Sequence, residues 1–156
     1  MDRRMGMLPR RYPEEIEEVI RDLCSKANPQ RSFVLAVDGR YGVGKSTLSR
    51  YLANRLGFEC FHTDDYLLGN SEWQYCDCLR ETLENKLVEN KPLIVEGVRV
   101  LSLLLDVNIP HDYGLRVQAQ EGFSHYRAKK FFDQYEQQFK ADRLVVLPDY
   151  TKQLAK

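Results

Sequence analysis

Eight consecutive residues, Gly39-Arg40-Tyr41-Gly42-Val43-Gly44-Lys45-Ser46, satisfy the spacing G-x-x-x-x-G-K-[ST] without a mismatch. Glycines at this spacing let the backbone wrap closely enough for successive amide groups to point at one anion. A helix opening directly after them adds partial positive charge at its N-terminus. Lys45 then brings a full charge to the outer phosphates of a nucleotide, and the Ser46 hydroxyl can join the shell of a magnesium ion, with Thr47 as a neighbouring hydroxyl. The segment from Gly39 to Thr47 is therefore predicted to bind ATP with Mg2+.

Carboxylates follow three apolar runs, and phosphoryl chemistry has a use for each place. Asp38 comes after Val37, Asp64 and Asp65 stand in His62-Thr63-Asp64-Asp65-Tyr66, and Glu96 ends Leu93-Ile94-Val95-Glu96. An acid beside the terminal phosphate can accept the proton of an attacking hydroxyl and orient it, which is most of what such a transfer asks of a protein. One of Asp64 and Asp65 is the predicted base; the plain alternative is that paired acids serve as turn or cap residues. Glu96 stands where an acid can hold magnesium directly or through water, giving Ser46, Asp64 and Glu96 as the predicted metal-binding set, against a strand-end acid facing solvent. Arg127, Lys129 and Lys130 lie on a late helical stretch and can neutralise the transferring group, although such clusters commonly form a solvated face. Lys45, one of Asp64 and Asp65, and Arg127 are the predicted catalytic residues.

These residues need a scaffold, and the apolar pattern describes one. Ile16, Val19, Ile20 and Leu23 mark one face of a helix from Pro13 to Lys26, ended by Asn28 and Pro29. Ser32–Val37 reads as a strand buried on both faces, Lys45–Leu56 as a helix capped by Gly57, and Phe58–His62 as a second strand. A helix from Cys78 to Val88, an interruption at Pro92, a strand Leu93–Val95 and a short helix Arg99–Leu105 follow. Tyr113–Val117 is a fourth strand, Gln120–Lys140 a helical stretch, and Leu144–Leu147 a fifth strand. Short buried strands alternating with helices predict an α/β fold with three layers, a five-stranded parallel sheet covered on both faces, whose ligands sit at the carboxyl ends of the strands.

At 156 residues one domain is expected, with residues 1–30 a helix ahead of the core. Lysine plus arginine equals aspartate plus glutamate, 23 each, which removes the broad attraction a nucleic-acid binder needs. The longest apolar runs are far too short to span a bilayer, and the first residues lack the apolar stretch of a secretory signal, so a cytoplasmic location is expected. Cys24, Cys60, Cys76 and Cys78 are then expected as reduced thiols; a zinc site from Cys60, His62, Cys76 and Cys78 is the weighed alternative, its C-x-C step tighter than the usual knuckle.

Three signatures in order resemble the family of uridine kinase, phosphoribulokinase and nicotinamide riboside kinase. Val37-Asp38-Gly39 through Thr47 is similar to its phosphate loop, the P-loop; Thr63-Asp64-Asp65-Tyr66 to its Asp-containing aromatic motif; and Ile94-Val95-Glu96-Gly97-Val98 to its Glu-Gly segment. Ala141 to Pro148 also resembles the family's last strand. The resemblance implies the P-loop NTPase fold and transfer of the γ-phosphoryl group of ATP to a small nucleoside-like alcohol, with Asp64 on the family's catalytic base. The stretch between Glu96 and Asp142 is shorter than in typical uridine kinases, and their arginine-rich lid is reduced here, at about residues 118–140, to Arg127, Lys130 and Asp133. Tyr66, Trp73 and Tyr75 are candidates to stack on a planar base. A nucleotide-binding regulator without a metabolite acceptor, or a kinase of pantothenate or a sugar phosphate, are the competing readings.

Overall fold

The computed structural model describes residues 12–66, 72–120 and 129–148, and residues 65, 66 and 72–75 by backbone alone. The first helix, α1 (Glu14–Lys26), buries Ile16, Val19, Ile20 and Leu23 along one stripe and places Glu14, Glu15 and Glu17 in its first turn, against the positive end of its dipole. It ends when Ala27 turns to extended backbone. Strand β1 (Phe33–Gly39) is buried at all seven residues. It outruns the apolar stretch by Asp38 and Gly39, because their backbones still pair with Gly97 on one side and with Arg116 and Val117 on the other.

Helix α2 (Lys45–Leu56) stops at Gly57, whose left-handed backbone ends it. Strand β2 (Glu59–His62) runs straight into a 3-10 turn, Thr63–Tyr66. Helix α3 (Glu72–Leu87) begins ahead of the expected Cys78. Pro92 opens β3 (Pro92–Gly97) instead of preceding it, a first-strand position where proline is tolerated. Helix α4 (Val100–Asp106), strand β4 (Tyr113–Ala119), helix α5 (Lys129–Gln138) and strand β5 (Arg143–Leu147) complete the order. Of the helical stretch expected from Gln120, Gln120 itself is not helical and residues 121–128 lie outside the described residues.

All strand pairings are parallel, in the order β2-β3-β1-β4-β5. Side chains of β1 alternate between two cores, as the two-residue period of a strand requires. Phe33, Leu35 and Val37 pack with Leu23 of α1 and Leu48 and Leu52 of α2, while Val34 and Ala36 pack with Leu79 and Leu83 of α3 and Leu101 and Leu104 of α4. The result is the predicted three-layer α/β architecture. Cutting one of the fully buried leucines, Leu35 or Leu48, to alanine removes about 2 to 5 kcal/mol. The chain leaves β1 for β2, returns to β3 against one flank of β1, and continues to β4 against the other. The crevice at the carboxyl end of β1 is thus where such a sheet receives its ligand.

Candidate active site

The turn from β1 into α2 is the glycine loop. Gly42 and Gly44 hold φ of 72 and 98, left-handed values that a side chain would strain, so the loop needs glycine at these two places. Val43 between them is buried and anchors the loop to the core, whereas Tyr41 is 53% exposed at its tip. Ser46 and Thr47 are exposed in the first turn of α2.

Lys45 is buried, and its Nζ donates to the main-chain carbonyl of Arg40 at 2.8 Å. Burial lowers its pKa from the ordinary lysine value, against the opposing pull of Glu96, Asp64 and Asp38, whose charges all reach it. Three strand ends therefore deliver carboxylates into the field of one ammonium group. Asp64 is exposed, one residue beyond Thr63 in the 3-10 turn that follows β2.

Glu96 lies on β3, between β1 and β2, with a relative exposure of 1%. Its Oε1 accepts from Ser46 Oγ at 2.8 Å, and His62 Nδ1 lies 2.7 Å from the same atom, which it reaches as donor when that nitrogen is protonated. The other oxygen, Oε2, is buried without a hydrogen-bond partner among the described residues. A buried acid oxygen left open beside a serine hydroxyl is the hard, all-oxygen donor set magnesium takes, alongside phosphate and water oxygens. Ser46 and Glu96 fit that ion by chemistry, and Asp64 shares the field at Lys45.

Behind His62, Cys60 Sγ stands 3.6 Å from Nε2. Burial, then the charge of Glu96, pushes the Cys60 thiol up to about 12, so it is the neutral S–H that meets the ring. Cys76 is half-buried and Cys78 exposed, and among the described residues no three histidine, cysteine or acidic side chains gather as a metal cluster.

Asp38 is occupied otherwise than its place at a strand end suggests. Its Oδ2 accepts from Arg116 Nη2 at 2.9 Å and Nε at 3.2 Å; its Oδ1 accepts from the Val100 amide at 3.1 Å and the Tyr135 hydroxyl at 3.2 Å. Burial, then the charge of Asp38, raises the Tyr135 pKa, which keeps that hydroxyl a donor. Arg116 further donates to the carbonyls of Glu136 and Phe139. The carboxylate is a structural pivot joining β1, β4, α4 and α5.

The guanidinium of Arg40 is bound to α5. Its Nε donates to Glu136 Oε1 at 2.9 Å, and its Nη2 to Glu136 Oε2 at 3.2 Å and to Asp133 Oδ1 at 2.8 Å. Glu136 first, and Asp133 with it, raise the Arg40 pKa, and Arg40 correspondingly lowers that of Asp133. Lys129 is exposed and pairs with Asp133 at 3.1 Å, and Lys130 is exposed on the same helix. Arg127 lies outside the described residues, as do the side chains of Asp65, Tyr66, Trp73 and Tyr75.

Sequence reasoning missed Arg116, Tyr135 and Glu136, and saw His62 only as a zinc ligand. A signal for Arg116 was present: a charge inside the buried run Tyr113–Val117 demands a buried partner.

No family model and no curated protein matches the sequence. Solved structures do resemble the fold. A protein described as a possible uridine kinase from Bacillus stearothermophilus aligns over 84% of this chain and 97% of its own, with TM-score 0.58 and 18% identity. Thymidylate kinase from Ehrlichia chaffeensis aligns over 78% of this chain and 93% of its own, with TM-score 0.50 and 17% identity. Taken with the parallel sheet and the glycine loop at its carboxyl end, these likenesses establish that the chain has the P-loop NTPase fold.

Proposed function

We propose that the protein is an ATP-dependent small-molecule kinase that transfers the γ-phosphoryl group to a hydroxyl of a nucleoside-like metabolite. The observation that carries this reading is the convergence on Lys45: a buried ammonium next to a glycine loop, within the fields of Glu96 and Asp64 from two neighbouring strands. A lysine so placed has lost water and, among the described residues, gained no direct carboxylate contact, its Nζ resting on a carbonyl oxygen. A polyphosphate supplies the missing anion.

In this reading the amides of residues 39–46 surround the β and γ phosphates, and Lys45 bridges them. Magnesium, when bound, neutralises charge on the β and γ oxygens; Ser46 and Glu96 are the residues that would hold it, with Asp64 near. Asp64 accepts the proton of the acceptor hydroxyl as its oxygen bonds to the γ phosphorus and the bond to the β–γ bridging oxygen breaks, releasing ADP. Arg127 is assigned to charge stabilisation on the transferring group. A soluble small molecule is the partner this chemistry requires; no helix among the described residues is long and apolar enough to cross a membrane.

The test is ADP release with magnesium over a panel of nucleosides, sugars, sugar phosphates and pantothenate. Acceptor-dependent release that drops about 10²- to 10⁴-fold in Asp64→Asn, with ATP binding retained, supports the reading. Full activity in that variant removes Asp64 from the reaction, and nucleotide binding without turnover on any acceptor replaces the kinase with a nucleotide-binding regulator.

A further inference from the structure

Arg40 does two things with two parts of itself. Its carbonyl oxygen receives the Lys45 ammonium, and its guanidinium grips Glu136 and Asp133 on α5. The ion pair is largely shielded, with Arg40 at 21% and Glu136 at 17% side-chain exposure. Phe132 backs it: the guanidinium carbon lies 5.6 Å from that ring, and Tyr41, next in the loop, meets the same ring edge-on at 6.2 Å. Two adjacent loop residues thus lean on one helix.

That helix is itself fixed to the sheet, through Tyr135 on Asp38 and Arg116 on the Glu136 carbonyl. Beyond the tip Val43 is buried in the core, which leaves Gly42 as the stretch with little to hold it. Gly42 has open space around it and left-handed backbone, so without an anchor the segment samples many conformations, and closing around phosphate would then have to order it. A planar fork reaching two carboxylates at once is a task for arginine that lysine cannot perform.

We infer that Arg40 is a positioning residue: through Glu136 and Asp133, helix α5 holds the phosphate loop in its cradle shape before nucleotide arrives, and so sets the affinity for the polyphosphate. The inference rests on the phosphate-binding half of the proposed function and is independent of the acceptor.

Two measurements on the full chain test it. The first is the ADP dissociation constant by calorimetry for wild type, Arg40→Met, Arg40→Lys, Glu136→Gln and the double variant Arg40→Met with Glu136→Gln. Each single variant is expected to weaken binding about 3- to 30-fold, and the double no more than Arg40→Met alone, since both changes break one pair. The second is amide hydrogen exchange of residues 40–46 in nucleotide-free protein, expected to quicken in the variants while β1 and β3 exchange as in wild type. ADP affinities within twofold of wild type, or strictly additive losses in the double, overturn the inference. If wild type itself binds no ADP, the phosphate-loop reading fails. Exchange then decides the latch alone: equal loop exchange in wild type and Glu136→Gln overturns it, and faster exchange in the variant sustains it.

Discussion

Gly97, at the end of β3, lies so close to Thr63 that a Cβ on residue 97 would stand 1.9 Å from the Thr63 Oγ1 and 3.2 Å from its Cβ. Thr63 is 1% exposed and cannot swing aside. It also immediately precedes Asp64, so the fit between these two residues fixes where the predicted base leaves the sheet.

Gly97→Ala is therefore expected to push the Thr63–Tyr66 turn away from β3. Overpacking of this kind costs about 1 to 3 kcal/mol, and a base moved by an ångström loses about 10²-fold in rate. Urea unfolding and ADP-release kinetics measure the two effects. Adding Thr63→Ala should restore part of the stability by reopening the space.

The Asp38–Arg116 pair makes a second prediction. Both side chains are nearly sealed, at 1% and 7% exposure. Asp38→Asn leaves a buried guanidinium without its counter-charge, an effect of about 3 to 5 kcal/mol in urea unfolding. Replacing both members, Asp38→Asn with Arg116→Met, should cost less than Asp38→Asn alone, because no charge is then left stranded.

These side chains also mark where the sequence stops being informative. The loop Gly39–Ser46, the helix beginning at Lys45 and the Glu96 strand end were legible because each is a local pattern: glycines at fixed spacing, or an apolar run between polar neighbours. What Asp38 binds was not, because Arg116 and Tyr135 reach it from far along the chain and no local period records such a contact. The start of α3 was misjudged for a related reason: Glu72 to Asp77 shows no clean apolar repeat. The basic cluster on α5 drew attention to Lys129 and Lys130, yet the ion pairs between this helix and the loop are made by its acids, with the cation supplied by the loop.

Lys45→Met separates the cost of the site from its use. In the nucleotide-free protein burial lowers the Lys45 pKa, so the charged form is the destabilised one. Apo stability should accordingly rise as pH climbs from the lowered value toward that of free lysine, and this rise should vanish in Lys45→Met. Thermal denaturation is expected to give the variant a melting temperature no lower than that of wild type without nucleotide, and no upward shift on adding MgATP.

Cys60 supplies a prediction with a definite pH window. Its thiol is pushed up to about 12 by burial and by Glu96, whereas Cys24 and Cys78 are exposed. Iodoacetamide at pH 8, followed by peptide mass mapping, should label Cys24 and Cys78 first and Cys60 last. Because the folded value lies above the unfolded one, near 8.5, the thiol's contribution to stability is complete below that pH and is lost as pH rises toward 12. Cys60→Ala should flatten that part of the alkaline denaturation curve.

The most direct test of the central claim is a solution NMR titration following the backbone amides from Gly39 to Ser46 as MgATP is added. Saturable shifts concentrated in those amides, absent in Lys45→Ala, are the predicted result. Amides that stay unmoved at millimolar MgATP, in a protein whose remaining spectrum shows it folded, would contradict the account.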